Sequence, residues 1–232
     1  MNTTYRQQED LLQLSSTFSK MLKQKFGKGP ESCFVTNQSN KLTIYIRNFI
    51  TPAEEVLVES KQINLAYNFR YAVIERVFQE FKNEVETVLG LTFTSYHTDW
   101  DYDNNTGILM LENSSTNEQL ETSSHSKLTT RLFKKMSSIC SEVHKAPSSL
   151  KLIKLNPNMY LAECKGTMLQ IEKVLFRKNC IEMLQERSIE IKKSYIIQRT
   201  SFEEVFGKEV EGLFMTWDYK NDRSYIFFYL QS

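Results

Sequence analysis

Apolar residues at three- and four-residue spacing open the chain and predict an amphipathic helix over residues ~7–26. Gly27 stands where a left-handed residue ends a helix. Two strands are predicted next, at residues ~32–37 and ~41–49, and the second alternates apolar and polar positions. This opening segment therefore predicts a helix followed by a hairpin.

The segment Thr51-Pro52-Ala53-Glu54 predicts a helix start, because threonine is a good N-cap, proline suits the first turn and glutamate can reach back to the cap. One long helix is expected from there to Gly90. Its apolar stripe consists of Ala66, Phe69, Val73, Val77, Phe81, Val85 and Val88. A second hairpin, with strands at residues ~91–102 and ~107–112, turns at Asp103-Asn104-Asn105.

The same order of elements occurs twice in the chain. The only two tryptophans open the tripeptides Trp100-Asp101-Tyr102 and Trp217-Asp218-Tyr219, which lie 117 positions apart. That offset also pairs Leu11 with Leu128, Lys28 with Lys145, Pro30 with Pro147, Gly90 with Gly207 and Asn104 with Asn221, and it slips to 118 where Glu54 pairs with Glu172. We interpret the pattern as an internal duplication.

The predicted fold class is α+β, a tandem duplication of an α-β-β-α-β-β unit with helices packed on antiparallel sheet. The first repeat is assigned to residues 1–113, a polar Ser/Thr-rich linker to 114–126, and a degenerate second repeat to 127–232. Apolar residues on both faces of the last strand predict that it is covered on both sides. Two units in one chain suggest an intramolecular pseudo-dimer, as a monomer with pseudo-two-fold symmetry or a weak homo-oligomer.

Composition narrows the possible functions. The net charge of +1 and the lack of a basic stripe argue against nucleic acid as a partner, although residues 1–115 carry −3 and residues 116–232 carry +4. No apolar run is long enough for a membrane span, and the chain begins without a signal-peptide pattern, so a cytoplasmic location is expected. Four scattered cysteines and three histidines predict reduced thiols, no metal site and no cofactor.

The loop Gly27-Lys28-Gly29-Pro30 is the first candidate binding segment. Two glycines let the backbone approach a ligand closely, and Lys28 could hold an anion. A helix stop followed by a turn is the alternative interpretation. The second copy reads His144-Lys145-Ala146-Pro147 and has lost both glycines, so a binding loop would function only in the first half.

Arg47 and Glu54 are the other candidate site residues. An arginine at the end of a strand could take a carboxylate, phosphate or bicarbonate-like ligand bidentately, or it could pair with Glu54 or Glu55 and join strand to helix. Glu54 already has a role as a capping residue. Asp99, Asp101 and Asp103 alternate as in a calcium loop, but the glycine and the bidentate glutamate of that loop are missing, so a polar hairpin face is predicted.

The tryptophan and cysteine side chains are predicted to have structural roles. Trp100 and Trp217 are predicted as core residues rather than a contact edge. Cys33 lies on a predicted strand with no histidine nearby in sequence, so a buried thiol is favoured over a nucleophile. No paired acid–base set or nucleophile motif indicates a reaction.

Two segments of the first half, Phe26–Cys33 and Tyr45–Glu54, resemble a bacterial family of sodium-translocating system proteins called MpsC. The resemblance covers about residues 9 to 112, and the second half is similar only through the repeat. Asn48 stands where the family pattern usually has glycine, which the second half keeps as Gly166. The resemblance implies a small accessory or regulatory protein of a membrane system for cation movement or inorganic-carbon supply.

Three hypotheses follow. The first is a non-enzymatic accessory or regulatory module that binds a protein partner, such as a membrane transport subunit, or a small anion through Gly27, Lys28, Gly29, Pro30, Arg47 and Glu54. The second is a small-molecule enzyme or anion-binding sensor whose site joins Lys28, Arg47 and Glu54. The third is a structural protein that oligomerises through its apolar final strand.

Overall fold

A computed structural model describes residues 3–38, 40–113 and 126–232. The chain folds as two compact units, Met1–Asn117 and Glu118–Ser232. Residues 114–125 of the predicted linker lie outside the described residues, so the linker and the exact repeat boundaries stay predictions. Each unit has mixed helices and one four-stranded antiparallel sheet, which confirms the predicted α+β tandem fold.

The elements of the first unit follow the predicted order. They are α1 (Thr3–Phe26), β1 (Ser32–Gln38), β2 (Lys41–Arg47), α2 (Pro52–Glu59), α3 (Ile63–Leu89), β3 (Ser95–Asp101) and β4 (Thr106–Glu112). Those of the second unit are α4 (Lys127–Val143), β5 (Ser149–Asn156), β6 (Met159–Lys165), α5 (Gln170–Arg177), α6 (Ile181–Ile197), α7 (Arg199–Phe206), β7 (Val210–Asp218) and β8 (Arg223–Leu230).

Two hairpins form each sheet, and their second strands lie in the centre. The strand order is β1-β2-β4-β3 in the first unit and β5-β6-β8-β7 in the second. One face of β2 and β4 packs against the helices through Leu42, Ile44, Ile46, Leu109 and Leu111. The predicted covering of the last strand on both sides is confirmed, because four consecutive residues, Tyr225–Phe228, are fully buried.

The single long helix predicted after Thr51 is wrong. The chain leaves the helical path between α2 and α3, where Lys61 has a φ of 59°. The Gln62 and Lys61 N–H groups donate to the Leu57 and Val58 carbonyls, which is a Schellman ending. Asn179 takes the same left-handed conformation after α5, with a φ of 58°, so both repeats end this helix in the same way.

The apolar stripe of α3 also differs from the predicted one. Phe69 is 39% exposed, whereas its neighbour Arg70 is 1% exposed and lies in the core. The buried face therefore passes through Ala66, Arg70, Ile74, Val77, Phe78, Phe81 and Val85. Pattern reading assigned the phenylalanine to the core because arginine is rarely buried without a partner.

The repeated Trp-Asp-Tyr motif closes the second hairpin of each unit. Trp100 and Trp217 are 4% and 7% exposed, which confirms that both are core residues. In the first unit, the Asp101 carboxylate accepts hydrogen bonds from the Asn104 backbone N–H at 3.0 Å and from its side-chain amide at 2.7 Å. Asp218 and Asn221 repeat both contacts. An Asx-type turn therefore explains the aspartate and the asparagine of the repeat.

Candidate functional site

The connection from β2 to α2 contains a cluster of buried polar groups of the first unit. Thr51 is the N-cap of α2, and its backbone N–H and its hydroxyl donate to Glu54 Oε2 at 3.0 and 2.7 Å. The Glu54 N–H donates back to Thr51 Oγ1 at 3.4 Å, which completes the predicted capping box. Both side chains are buried, so Glu54 faces inward from the start of its helix.

Arg70, which sequence analysis did not select, is the partner of Glu54. Its Nε and Nη2 donate to the two carboxylate oxygens of Glu54, and Nη2 also donates to the Phe49 carbonyl at 2.9 Å. The guanidinium carbon lies 4.1 Å from the centre of the Trp100 ring, and the Tyr102 hydroxyl donates to Glu54 at 3.3 Å. The result is a bidentate ion pair enclosed by aromatic rings.

The electrostatics of this pair hold Glu54 ionised. Burial on its own raises the pKa of the Glu54 carboxyl, but hydrogen bonds and charge from Arg70, with further bonds from Thr51, bring that pKa below its ordinary value. Because the carboxylate is 0% exposed and each oxygen has several donors, it is not available to a substrate. Glu54 is therefore a buried structural carboxylate in this geometry.

The second unit repeats the pair at equivalent positions. Arg187 Nε lies 3.0 Å from Glu172 Oε1, and Glu172 accepts the Leu169 N–H at 2.5 Å in place of the threonine cap. The Arg187 side chain is 24% exposed, so this pair is more open to water than the first. An offset of 117 aligns Arg70 with Arg187, and this alignment is the sequence signal by which the arginine could have been found.

An asparagine at the tip of the second hairpin holds the same connection from the other side. Asn105 Oδ1 accepts the N–H groups of Phe49 and Ile50 at 2.6 and 2.8 Å. In the second unit Asp222 Oδ1 accepts the Met168 N–H at 2.9 Å, and Lys173 lies 2.6 Å from its other oxygen. Both units therefore use a side-chain oxygen of the hairpin turn to fix the chain before the short helix.

A left-handed residue precedes each of these clamped segments. Asn48 has a φ of 53° and Gly166 a φ of 72°, so the position that differs between the halves keeps its backbone conformation. Asparagine is among the residues that tolerate this region. The Asn48 side-chain amide also donates to the Glu31 carboxylate, a contact that glycine cannot make.

The loop after α1 has the conformation of a helix stop. Gly27 has a φ of 77°, and its N–H donates to the Lys23 carbonyl at 3.0 Å. Lys28 is exposed, and its ammonium donates to the Ile50 carbonyl at 2.7 Å, so it lies beside the start of α2. Gly29 and Pro30, the other two predicted residues of the loop, are half-buried.

Arg47 lies at the end of β2 with an exposed side chain. Strand residues alternate between faces, so Arg47 shares a face with Tyr45, whereas Ile44 and Ile46 point to the helices. Lys28 therefore lies close to the start of α2, Arg47 is exposed at the end of β2, and the Glu54 carboxylate is bound by Arg70. A shared binding site of Lys28, Arg47 and Glu54 stays a prediction.

The second unit has a buried polar chain where the first has its glycine loop. His144, which aligns with Gly27, lies with Nδ1 2.9 Å from the Lys145 carbonyl and Nε2 3.0 Å from the Tyr195 hydroxyl. That hydroxyl is 2.8 Å from Cys140 Sγ. Burial lowers the pKa of His144 to about 4 and raises that of Cys140 to about 11, so both groups are neutral near pH 7.

Cys33 is predicted to be a buried thiol rather than a nucleophile. It is half-buried on β1, and its carbonyl accepts a hydrogen bond from the Ser15 hydroxyl. Burial raises the pKa of the thiol to about 11, which disfavours the nucleophilic thiolate.

Comparison with known proteins gives one match. Residues 7–112, the first half of the chain, match the family described as Na+-translocating membrane potential-generating system (MpsC). No curated protein and no solved structure is significantly similar to the chain. Among the described residues, no helix combines the length and the apolar character that a membrane crossing needs.

Proposed function

We propose, from the premise that the first half of the chain belongs to the MpsC family, that this protein is a non-enzymatic accessory or regulatory module of a membrane system for cation transport. The match over residues 7–112 is the observation that carries the proposal. The family's description names sodium translocation and membrane potential. The protein would act from the cytoplasmic side by binding a subunit that crosses the membrane.

The buried chemistry of the first unit supports a binding role over a catalytic one. Glu54 and Arg70 satisfy each other within the core, and Tyr102 adds a further donor to the same carboxylate. Such a pair fixes the connection before α2 and offers no open position for a reacting group. An enzyme or anion sensor that joins Lys28, Arg47 and Glu54 receives no support from this geometry.

The loop 27–30 is the proposed contact with the partner. Lys28 is exposed beside the α2 start, and the equivalent loop of the second unit is occupied by the buried His144. A partner that recognises this loop would therefore engage the first unit only. Arg47, which is exposed at the end of β2, is the second proposed contact, and its variant is tested separately.

The test is affinity capture from detergent-solubilised membranes of the native cells. The tagged wild-type chain should retain a cation-transport subunit, and Lys28→Ala should lose it. Lys145→Ala is the matched control for the loop, because it removes the aligned, exposed lysine of the second unit. Arg76→Ala, an exposed arginine on α3, is the control for Arg47→Ala.

A functional readout accompanies the capture. Cells that lack this protein should show a reduced membrane potential with a potential-sensitive dye, and the wild-type gene should restore it. The proposal is refuted if the dye signal is unchanged in the deleted strain and no transport subunit is captured. If a subunit is captured equally by wild type and both variants, the partner model stands and its assignment to Lys28 and Arg47 is wrong.

A further inference from the structure

The short helices α2 and α5 occupy equivalent places in the two units, and both leave apolar side chains uncovered. Val56 on α2 is 60% exposed, and Leu65 at the start of α3 is 51% exposed. Ile171 on α5 is 59% exposed, and Met183 at the start of α6 is 57% exposed. Uncovered apolar groups at the same place in both units indicate an interaction surface on each.

The two helices carry opposite charges at aligned positions. Glu55 and Glu59 of α2 are exposed, and the offset of 118 places Lys173 and Arg177 of α5 at the same positions. Lys173 is paired with Asp222, but Arg177 and the following Lys178 are exposed. The outer side of α2 therefore presents two negative charges, and the outer side of α5 with its C-cap presents two positive charges.

We propose that α2 of one copy of this chain packs against α5 of a second copy, head to tail. The apolar residues, Val56 on one side and Ile171 on the other, would meet in the centre of the contact. Glu55 and Glu59 would face Arg177 and Lys178 around it. Opposite charge steers the correct pair of surfaces together and disfavours α2 against α2 or α5 against α5.

Charge complementarity favours a second copy over a membrane surface as the occupant. An anionic bilayer would attract the basic helix α5 but would repel α2 with Glu55 and Glu59. It would leave the exposed Val56 and Leu65 without a role. A second copy covers both surfaces through one kind of contact.

The contact is heterologous, because it joins two different surfaces. Each chain carries both surfaces, so two copies can form the contact reciprocally in a closed dimer, or successive copies can form it in a ring or an open chain. Helices of eight residues give a small contact, which predicts weak association that decreases as salt screens the exposed charges.

Sedimentation velocity with the full chain tests the proposal. Wild type should form dimers or larger species as its concentration rises to about 1 mM, since a contact of this size is expected to be weak. The association constant should be lower by about tenfold or more in each of the variants Glu55→Lys/Glu59→Lys and Arg177→Glu/Lys178→Glu. An equimolar mixture of the two should associate again, because the native α5 of the first variant meets the native α2 of the second.

The matched control for Glu55→Lys/Glu59→Lys is Glu9→Lys/Glu84→Lys, which makes the same change in net charge at exposed positions of α1 and α3. It should associate like wild type. A wild type that stays monomeric over the whole range refutes the proposal. It is also overturned if the mixture fails to regain association. If wild type stays monomeric, binds vesicles with anionic lipid and stops binding them on Arg177→Glu/Lys178→Glu, the bilayer is the occupant of α5.

Discussion

The buried pair of the first unit predicts a large loss of stability when its charge is removed on one side only. Glu54→Gln keeps the size of the side chain and an oxygen that can still accept from the Thr51 N–H, so the capping box is retained. What it removes is the negative charge opposite Arg70. The substitution therefore isolates the ion pair from the helix cap.

The loss of unfolding free energy depends on the contacts that Arg70 keeps in the variant. The guanidinium is 1% exposed and would keep its bond to the Phe49 carbonyl and its contact with the Trp100 ring. Breaking a buried pair on one side typically costs 3–5 kcal/mol, and those remaining contacts place Glu54→Gln at the lower end, about 3 kcal/mol. The equivalent Glu172→Gln should cost less than Glu54→Gln, because the Arg187 side chain is 24% exposed and can be partly hydrated.

The assay is urea unfolding followed by tryptophan fluorescence, one unit at a time. A Trp217→Phe background leaves Trp100 as the reporter of the first unit, and a Trp100→Phe background leaves Trp217 for the second. Each glutamine variant is compared with its own background. The Glu54→Gln/Arg70→Met double variant should be less destabilised than the sum of the single changes by about 2 kcal/mol, because the two side chains interact directly.

The pH dependence supplies a second check on the same pair. The pKa of Glu54 is lower in the folded chain than its ordinary value of 4.5, so its contribution is fully present above pH 4.5 and is lost as pH falls through the folded pKa. Glu54→Gln should flatten this part of the acid-unfolding curve. The reasoning is refuted if Glu54→Gln costs no more than Glu172→Gln and leaves the acid slope unchanged.

Three further predictions concern single positions. Gly107→Ala should destabilise the first unit by about 3 kcal/mol in urea unfolding, because an added Cβ would overlap the Trp100 ring. Ser224→Ala, at the aligned position of the second unit, should cost much less. The pKa of His144 measured by NMR should be about 4. The free energy of unfolding of wild type should fall by up to about 3 kcal/mol between pH 6.5 and 4, because the unfolded chain takes up a proton that the folded chain does not, and His144→Gln should lack this slope. Cys180 should be the first cysteine to react with a thiol reagent in the folded chain, because Cys140 and Cys164 are fully buried and the pKa of Cys33 is raised. Cys180→Ser should remove that fast phase.

Sequence patterns predicted the elements that local chemistry determines. The duplication, the two hairpins and the helix start at Thr51 all follow from spacing and turn residues. The structure has them close to the predicted bounds, except that β3 begins at Ser95 instead of about residue 91. The break between α2 and α3 was missed because its left-handed residue is Lys61 instead of glycine. A Schellman ending with a lysine gives no compositional signal, and apolar spacing continues through it.

The candidate site was predictable only in part, because its partner residue is distant in sequence. Glu54 was correctly assigned as a capping residue from three neighbouring positions. Arg70 lies 16 residues further on and enters the core only because Glu54 and an aromatic enclosure neutralise and cover it. A buried arginine resembles an exposed one in a single sequence, and only its recurrence as Arg187 distinguishes it.

The two halves keep the contacts that close the fold and differ where a partner could bind. Both units retain the Glu–Arg pair, the Asx turn and the hairpin side chain that fixes the short helix. The change from Asn105 to Asp222 preserves one hydrogen bond, from the Ile50 N–H in the first unit and from the Met168 N–H in the second. By contrast, the glycine loop at Gly27 is replaced by His144, and the exposed charges of α2 and α5 are reversed. Folding alone explains the first set, because those groups hold the turns and helix starts of each unit together. Divergence at the second set is expected if the surfaces of the two units have different partners, and α2 and α5 can serve as partners for each other only because they have diverged.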